Sequence, residues 1–577
     1  MKKKLLPALI VTGLIILVVI IMGITALINK YTPTKKTEDL KEYFNISSDD
    51  EVALIVNNEL SDYKAKIIDK KIYVDYKFVH DSLNSRFYWD ANENVLLYTT
   101  ASDIISAAAD SNSFSVTKQT NAFGYPIVKA TSDSALIALD YVKQYSNITF
   151  KSYDDPARIV ITSKWDEIDS ATVSKPTQVR VKGGIKSPIL KEVKKDDKIT
   201  ILDSGDKWDK VATEDGVIGY IKRKALSESK KTKLTNPDYE EETFTHIKKD
   251  KDICLAWNQV TSQSANSKVP QVISSTKGIN VMSPTWFYLN DNNGNLADIA
   301  SKDYVSYCHS QGIEVWGLFS NLENTDVDAA YVLTHTSTRT TLINQIMSAA
   351  FNYELDGVNI DFENITEAAY GDSYIEFIRE LSIKCHNNGI SLSVDVTVPA
   401  SFNKFFNRSD MAKFADYIVI MGYDEHYKGS DAGSVSSIPW VTEGVESTLK
   451  EVPADQIILG MPFYTRIWEL TPKEDDDAVT DTEDQSKYTV ASQVYSMDAA
   501  AAQLATNNAT AALDEESGQN YAEWSVSNKL YKVWLAGTAS LEKRLKLVDD
   551  NKLAGAAFWK LGFENSSVWD TVIKYLN

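Results

Sequence analysis

Over residues 252–577, short apolar runs of strand length alternate with segments that have a helical pattern. The eight apolar runs are 253–257, 279–289, 313–319, 357–363, 391–398, 417–423, 457–464 and 555–561. Eight strands that alternate with helices predict a C-terminal (β/α)8 TIM barrel. The stretch 468–530 is too long for a simple helical connection, so we expect an insertion between the seventh and eighth strands.

The fourth run, 356–363 (DGVNIDFE), has an unusual distribution of polar residues. Asn359, Asp361 and Glu363 alternate with apolar side chains, which indicates a strand that sends all three polar groups to one face. Carboxyl groups gathered in this way repel each other, and at least one should have a raised pKa, as a general acid requires. The alternative is an edge strand with a solvated polar face.

Three later runs also end in residues suited to chemistry. The sixth run ends in Tyr423 and Asp424, Arg466 follows the seventh, and the eighth contains Trp559. Active sites of TIM barrels lie at the carboxyl ends of the strands. Carboxylates, a tyrosine hydroxyl and a tryptophan ring at one rim fit the hydrolysis of a sugar polymer.

The motifs resemble one enzyme family in their order along the chain. Residues 356–363 resemble the D-G-x-D-x-D-x-E signature of glycoside hydrolase family 18, with Asn359 in place of one aspartate. The M-x-Y-D of the sixth strand, G-x-P-x-Y-x-R-x-W at 460–468 and the tryptophan of the eighth strand are similar too. Phrases such as SPTWFYL, MGYDEH and WKLGFE are most similar to the branch of spore-cortex-lytic and cell-wall N-acetylglucosaminidases.

The resemblance implies a role for each matching residue. Glu363 would be the general acid and then the base, while the 2-acetamido oxygen of the substrate attacks the anomeric carbon in place of a protein nucleophile. Asp361 would orient the acetamide and stabilise the oxazolinium ion, and Tyr423 would hydrogen-bond the acetamido carbonyl. The residues that would bind the sugar are Asp424, Arg466 and Trp559.

Asn359 departs from the family pattern, and we place it with Asp356 as a supporting residue. An amide can hydrogen-bond Asp361 but cannot repel it, so we expect Asp361 to ionise at lower pH than beside a third carboxylate. The six histidines are scattered and the three cysteines form no CxxC pair, so neither a metal site nor a cofactor is predicted. Free, buried thiols are expected.

The N-terminus predicts a membrane anchor. Three lysines precede an apolar run at 5–28, which is long enough to span a bilayer. We expect residues 1–30 to be a signal anchor with an extracellular body in a single-pass protein of the cytoplasmic membrane. A cleaved signal peptide, which would leave a secreted protein, is the alternative. The polar stretch 31–48 is expected to be a spacer.

A chain of 577 residues is multidomain, and two modules are expected before the barrel. In 49–165 a strand–helix–strand–strand pattern occurs twice, which resembles the repeated module named after the N-terminal domain of copper amine oxidases and predicts an α+β stalk. The short β-runs of 176–228 resemble a bacterial SH3-like domain, a family that often binds cell-wall peptides. Trp208 and Tyr220 would line its groove or belong to its core. Residues 229–251 are expected to be a linker.

The formal net charge of −20 argues against nucleic acid as a partner. The hypothesis is therefore a membrane-anchored glycoside hydrolase of β-1,4-linked N-acetylglucosamine polymers, with peptidoglycan as the expected substrate. The alternatives are a hydrolase of chitin or its oligosaccharides, and a non-catalytic, lectin-like wall protein.

Overall fold

The computed structural model describes residues 5–363, 365, 370–473 and 484–576. The chain forms two compact units. The first comprises Met1–Phe87, Ala107–Phe114 and Asn121–Glu241; the second comprises Tyr88–Ser106, Ser115–Thr120 and Glu242–Asn577.

The first unit begins with a long apolar helix, α1 (Leu5–Tyr31). Its 27 residues extend about 40 Å at 1.5 Å per residue, which exceeds the thickness of the hydrocarbon core of a bilayer. Within it, Pro7–Tyr31 is long and apolar enough to cross a membrane, and none of its apolar window is buried. A signal sequence would have the same properties.

Short helices and strands follow up to residue 233. The helices are α2 (Leu40–Tyr43), α3 (Tyr76–Ser82) and α4 (Leu139–Gln144). The strands are β1 (Glu51–Val56), β2 (Glu59–Ile68), β3 (Lys71–Asp75), β4 (Phe87–Asp90), β5 (Val95–Thr99), β6 (Ile104–Ala108), β7 (Ser113–Val116), β8 (Gln119–Ala122), β9 (Val128–Ala130), β10 (Ala135–Ala138), β11 (Thr149–Tyr153), β12 (Arg158–Thr162), β13 (Glu167–Thr172), β14 (Thr177–Arg180), β15 (Ile189–Val193), β16 (Lys198–Asp203), β17 (Trp208–Thr213), β18 (Ile218–Lys222) and β19 (Lys230–Lys233).

The repeat expected in 49–165 has a structural counterpart. Both copies have the order strand, helix, strand, strand, as β3-α3-β4-β5 and as β10-α4-β11-β12. The main sheet of this region has the order β11-β12-β1-β2-β3-β10-β9. The second copy contributes three of its strands to that sheet, whereas β4 and β5 belong to a separate sheet, β4-β5-β6-β7-β8.

The stalk expected at 49–165 is divided between the two units, because part of its first copy packs on the barrel unit. Tyr88 shares a hydrogen bond of 2.9 Å with Ser373, and Thr99 donates one of 2.7 Å to Glu376. Ser373 and Glu376 belong to a barrel helix and are buried. Part of the predicted module therefore belongs to the barrel unit, since Tyr88 and Thr99 are partners of buried barrel groups.

The region 176–228 contains β14 to β18, and the predicted β-runs fall in these strands. Their sheet has the order β15-β14-β18-β17-β16-β13-β19, so it extends beyond the predicted bounds through β13 and β19. The predicted linker, 229–251, is consequently not a free connection. Its first part is β19, and Phe244 packs on Phe414 of the barrel unit, with 4.9 Å between ring centroids.

The segment 31–48, expected to be a spacer, makes contacts with the 176–228 region. The amide of Thr34 donates to the carbonyl of Ile185 at 2.8 Å, and that of Glu38 donates to Ile189 at 2.8 Å. Phe44 is buried in the apolar core that β14 to β18 share. The segment is ordered because its backbone pairs with β15 and its apolar side chains have partners in that core.

The second unit contains the remaining elements. Its strands are β20 (Ile253–Asn258), β21 (Val281–Leu289), β22 (Leu296–Asp298), β23 (Glu314–Ser320), β24 (Gly357–Asp361), β25 (Ser391–Thr397), β26 (Tyr417–Met421), β27 (Ile457–Pro462), β28 (Tyr464–Pro472), β29 (Tyr488–Ser496), β30 (Ala512–Asp514), β31 (Gln519–Val526), β32 (Lys529–Leu535) and β33 (Gly555–Trp559). Its helices are α5 (Val269–Val272), α6 (Lys302–Ser310), α7 (Ala329–Thr334), α8 (Thr336–Tyr353), α9 (Gly371–His386), α10 (Arg408–Phe414), α11 (Ile438–Thr448), α12 (Met497–Thr506), α13 (Thr538–Asn551) and α14 (Trp569–Tyr575).

Eight parallel strands close into a TIM barrel. Their order is β20-β21-β23-β24-β25-β26-β27-β33, and β33 pairs with β20 to complete the circle. All eight predicted apolar runs are confirmed as these strands. Alternate residues divide between an outer core under the helices and a smaller inner core; on β20, for example, Ala256 faces outward and Trp257 inward.

The insertion between the seventh and eighth barrel strands is confirmed, with wider bounds than 468–530. It runs from β28 to β32, or 464–535, and its sheet has the order β29-β28-β32-β31-β30. It begins earlier because β28 starts two residues after β27 ends. Residues 474–483, most of the acidic stretch in this insertion, lie outside the described residues.

Gly357 opens β24 at a point where the inner core leaves no space for a side chain. A Cβ atom here would lie 2.5 Å from Cδ1 of Trp316. That indole is fully buried and stacks on Tyr417, with 5.5 Å between centroids, so it cannot move aside.

We therefore expect Gly357→Ala to destabilise the barrel by about 1–3 kcal/mol through overpacking. The measurement is urea unfolding followed by tryptophan fluorescence. Gly537→Ser is the matched control, because a Cβ atom there meets nothing within 4 Å and serine is a favourable residue before a helix. Equal stability of the two variants would contradict this account of β24.

Candidate active site

Asn359, in the middle of β24, is the centre of a buried hydrogen-bond network inside the barrel. Its side-chain oxygen accepts hydrogen bonds from Nε1 of Trp257 at 3.0 Å and Oγ of Ser283 at 2.9 Å. Its Nδ2 donates to Oδ1 of Asp395 at 2.7 Å. The two donors fix the orientation of the amide, and its N–H group therefore faces the Asp395 carboxyl. An aspartate at 359 would place a second carboxyl there.

Asp361 and Asp395 are neighbours on adjacent strands. Ile360 is in register with Val394, so the two aspartates lie one residue beyond that pair, on strands about 4.8 Å apart. Oδ1 of Asp361 is buried and has no hydrogen-bond partner among the described residues. Burial, followed by the charges of Asp395, Glu363 and Glu323, raises the pKa of Asp361 well above its usual value.

The comparison of Asn359 with an aspartate stays a prediction, but Asp361 is not free of carboxylate repulsion. The reason is that Asp395 supplies the carboxyl that Asn359 lacks, from the next strand. Burial also raises the pKa of Asp395, and the charge of Glu363 raises it further, although the hydrogen bond from Asn359 opposes the shift. Each of two neighbouring carboxyls of this kind disfavours the ionisation of the other, so the two titrate as a pair.

Glu363 follows β24 at the carboxyl end of the barrel. Its side chain keeps exposed surface, yet the surrounding protein displaces enough water to raise the pKa of the carboxyl. The negative charges of Asp424 and Glu323 raise it further. A carboxyl with a raised pKa that is accessible from solvent can act as a general acid.

The end of β26 brings a hydroxyl and a carboxylate to the same rim. Tyr423 is half-buried, and burial together with the nearby acids raises its pKa, so its hydroxyl remains a hydrogen-bond donor. Asp424 adopts a left-handed backbone conformation with φ of 59°. It accepts a hydrogen bond of 2.5 Å from Tyr464, and its carboxylate lies 3.7 Å from the Arg466 guanidinium.

Aromatic rings complete the site. Trp559, at the end of β33, is partly buried, and its ring centroid lies 5.9 Å from that of Trp257. The ring centroid of Tyr423 lies 6.4 Å from that of Trp257. The exposed part of Trp559 can therefore contact an apolar sugar face while the polar groups contact hydroxyl and amide groups.

Asp356 is not at this site, and its prediction as a supporting residue is wrong. It precedes β24, at the amino end of the barrel, five residues before Asp361 and so about 16 Å away along an extended strand. Oδ2 of Asp356 accepts a hydrogen bond of 2.8 Å from the amide of Val315. The same oxygen lies 2.8 Å from Nε2 of His309. Its role is to tie β24 to β23.

The sequence analysis missed Asp395 and also Tyr374, whose buried hydroxyl has no hydrogen-bond partner among the described residues. The signal for Asp395 was present, because Ser391, Ser393 and Asp395 alternate with apolar residues along the fifth run. This is the same pattern that identified Asn359 and Asp361. Tyr374 lies on α9 and had no comparable signal.

Residues 319–564 match the model of glycosyl hydrolases family 18. The chain contains a family 18 glycosidase domain. The chain is 24% identical over 302 residues to the uncharacterized glycosylase YvbX of Bacillus subtilis (strain 168). The aligned region covers 49% of this chain and 81% of that protein. The chain is also 24% identical over 287 residues to the cortical fragment-lytic enzyme of the same organism, which covers 48% of this chain and 63% of that enzyme.

Two solved structures are similar to part of the chain. The spore cortex-lytic enzyme SleL of Bacillus cereus has a TM-score of 0.49 and 17% identity over 60% of this chain and 77% of that chain. A chitinase from Chromobacterium violaceum ATCC 12472 has a TM-score of 0.48 and 20% identity over 56% of this chain and 98% of that chain.

The raised carboxyl pKa values predict how stability depends on pH. In the unfolded chain, the usual pKa is 3.8 for an aspartate and 4.5 for a glutamate. Folding raises the pKa of Asp361, Asp395 and Glu363 above these values, so the folded protein binds these protons more tightly. Their contribution to stability is fully present below those values and is lost as pH rises through the folded pKa values.

We expect Asp395→Asn to reduce this loss of stability, because the substitution removes one acid and lowers the pKa of Asp361. The reduction should be about 1.4 kcal/mol for each unit by which the total pKa difference between the folded and unfolded states decreases. The measurement is urea unfolding at intervals from pH 4 to pH 9. The exposed Asp326→Asn should keep the wild-type dependence. An unchanged dependence in Asp395→Asn would contradict the coupling of the two aspartates.

Proposed function

We propose that the protein is a membrane-anchored, extracellular hydrolase that cleaves β-1,4 linkages of N-acetylglucosamine-containing polymers, with peptidoglycan as its substrate. The observation that carries the proposal is the arrangement of Glu363 beside Asp361 at the carboxyl end of a family 18 barrel, with raised pKa values for both carboxyls. One acid is accessible to a leaving group, and the other is buried next to a further carboxyl.

In the first step, protonated Glu363 donates its proton to the glycosidic oxygen. The 2-acetamido oxygen of the substrate attacks the anomeric carbon as the glycosidic bond breaks, and an oxazolinium ion forms. Asp361 accepts a hydrogen bond from the acetamido N–H and balances the positive charge. In the second step, the Glu363 carboxylate takes a proton from water, which attacks the anomeric carbon and gives a product with retained configuration.

Asp395 allows Asp361 to change its charge during this cycle. Before substrate binds, the pair shares a proton, because both carboxyls are buried side by side. When the oxazolinium ion forms, the proton resides on Asp395 and Asp361 carries the negative charge. Asn359 holds Asp395 in place through the 2.7 Å hydrogen bond.

The remaining groups bind the sugar. The Tyr423 hydroxyl donates to the acetamido carbonyl oxygen, and Trp559 forms the floor under the reacting ring. Asp424 accepts hydrogen bonds from sugar hydroxyls, with its carboxylate held by Tyr464 and Arg466. Each of these residues lies at the carboxyl end of a barrel strand or at the start of the insertion.

Peptidoglycan is favoured over chitin as the substrate for two reasons. A relative that matches the catalytic region carries the name cortical fragment-lytic enzyme. The apolar helix α1 would also hold the hydrolase at the cell surface, next to the wall. The regions 49–165 and 176–228 are proposed as non-catalytic modules of this surface enzyme.

Replacing the general acid tests the mechanism. We expect Glu363→Gln to lower kcat by a factor of about 10²–10⁴, because the amide cannot donate a proton to the leaving oxygen. The measurement is the release of reducing ends from purified peptidoglycan and, separately, from chitin oligomers. The matched control is the exposed Glu354→Gln, nine residues earlier, which should retain activity.

The substrate panel separates the alternatives. Wild-type activity in Glu363→Gln would contradict the assignment of the general acid. Faster turnover of chitin oligomers than of peptidoglycan would contradict the substrate. Saccharide binding without any product from the unmodified protein would indicate a lectin-like role.

The location is tested by the mass of the mature chain. We expect the protein from cell membranes to resist alkaline carbonate extraction and to have an intact mass that includes residues 1–31, since α1 would remain in the bilayer. Recovery from the medium of a shorter chain that lacks this segment would instead identify a cleaved signal peptide.

A further inference from the structure

The chain leaves α1 and joins the sheet of the 176–228 region at once. The amide of Thr34 donates to Ile185, Ile189 donates to the carbonyl of Lys36 at 2.9 Å, and Thr37 forms a parallel bridge with Ile189. Residues 34–38 thus lie along β15 as an added strand segment. The 176–228 region is therefore fixed to the end of α1.

Two cations reinforce this attachment. The buried guanidinium of Arg180 donates to the carbonyl of Thr34 at 3.2 Å and to that of Ser187 at 2.6 Å. Nζ of Lys186 donates to the carbonyl oxygens of Asn29 and Thr32, at the end of α1. The last carbonyls of a helix lack partners within it and carry partial negative charge, so an ammonium group is favourable there.

If α1 spans the membrane as proposed above, these contacts determine how close the loop 182–187 lies to the bilayer. The apolar run ends at Ile28, and the polar residues that follow would lie at the level of the lipid headgroups. Because Lys186 contacts the carbonyls of Asn29 and Thr32, the loop 182–187 would lie at the same level.

The segments at this level are strongly basic. Residues 30–38 and 180–188 carry six basic side chains and one acidic side chain, although the whole chain has a net charge of −20. The basic residues are Lys30, Lys35, Lys36, Arg180, Lys182 and Lys186, and the acidic one is Glu38. Three of the lysines, at 35, 36 and 182, are exposed and form no ion pair among the described residues.

Two aromatic rings lie directly against this loop. A Cβ atom on Gly183 would be 3.1 Å from Cβ of Trp208 and 3.6 Å from Cδ1 of Tyr220. Both rings are half-buried. Tryptophan and tyrosine are enriched at membrane–water interfaces because their rings are apolar with a polar edge. This placement gives the two residues a use besides a peptide groove or a core.

We propose that residues 30–38 and 180–188, here termed the basic collar, bind the phosphate groups of anionic phospholipids around α1. The proposal rests on the membrane anchoring proposed above and adds the lipid class that the anchor selects. It does not involve the hydrolase site. Charge complementarity carries it, since the collar concentrates positive charge where headgroup phosphates would lie.

The experiment uses the full chain reconstituted in bilayers that contain a trace of spin-labelled lipid. The measurement is the fraction of each spin-labelled lipid whose motion the protein restricts. We expect the protein to prefer phosphatidylglycerol over phosphatidylcholine by about fivefold, and we expect this preference to fall at high salt. The collar variant carries three substitutions, Lys35→Glu, Lys36→Glu and Lys182→Glu. It should lose the preference for phosphatidylglycerol. It retains Lys186, which caps the end of α1.

The matched control reverses three exposed lysines beyond the opposite end of β15: Lys194→Glu, Lys195→Glu and Lys198→Glu. It should keep the wild-type preference. Hydrogen exchange in residues 34–38 verifies that the collar variant retains its pairing with β15. No preference in the unmodified chain, or equal preference in the collar variant, would overturn the proposal.

Two further outcomes distinguish a failure of the basic collar from a failure of the membrane anchor. If neither lipid is restricted, α1 does not lie in the bilayer, and the anchoring fails together with the collar. If restricted lipid shows no selectivity but the collar lysines are needed for sedimentation with purified cell walls, the anchor stands and the collar binds an anionic wall polymer instead of lipid.

Discussion

The hydrogen bond between Asn359 and Asp395 is the interaction on which the interior of the barrel depends. It joins two adjacent strands at 2.7 Å and gives a buried carboxyl a hydrogen-bond donor. Trp257 and Ser283 fix the amide from the opposite side, so four strands converge on one side chain. The proposal that Asp361 and Asp395 share a proton rests on this arrangement, because Asn359 donates to only one of the two carboxyls.

The barrel was predictable because its strands are buried on both faces and so form apolar runs that stand out from the helices. The same alternation that identified Asn359 and Asp361 predicted which side chains face inward. It could not predict that Asp395 lies beside them, since a period of two gives the face of a strand but not the height at which neighbours meet. Asp356 was misplaced for the same reason: it belongs to the motif in sequence, but it lies at the other end of the strand.

The N-terminal half was harder to predict because its order depends on backbone pairing, which leaves little trace in composition. Residues 31–48 are rich in lysine and threonine and suggest a spacer, yet Thr34 and Glu38 pair with the edge of β15 through their amides. The region 49–165 shows the same difficulty in another form. The two copies of its pattern have the same order of elements, but Tyr88 and Thr99 have buried partners on α9. No local pattern reveals a partner almost three hundred residues away.

The carboxyl cluster also explains how the site can favour a transition state over a substrate. Burial and neighbouring acids raise the pKa of Asp361 and of Glu363, and no described cation is among the causes of either shift. Arg466, the nearby guanidinium, is directed to Asp424 and Ser492 instead. A fixed cation beside Asp361 would neutralise the cluster permanently. In the proposed mechanism the positive charge arrives only as the oxazolinium ion forms, so the repulsion among the acids would be relieved in the transition state more than in the ground state.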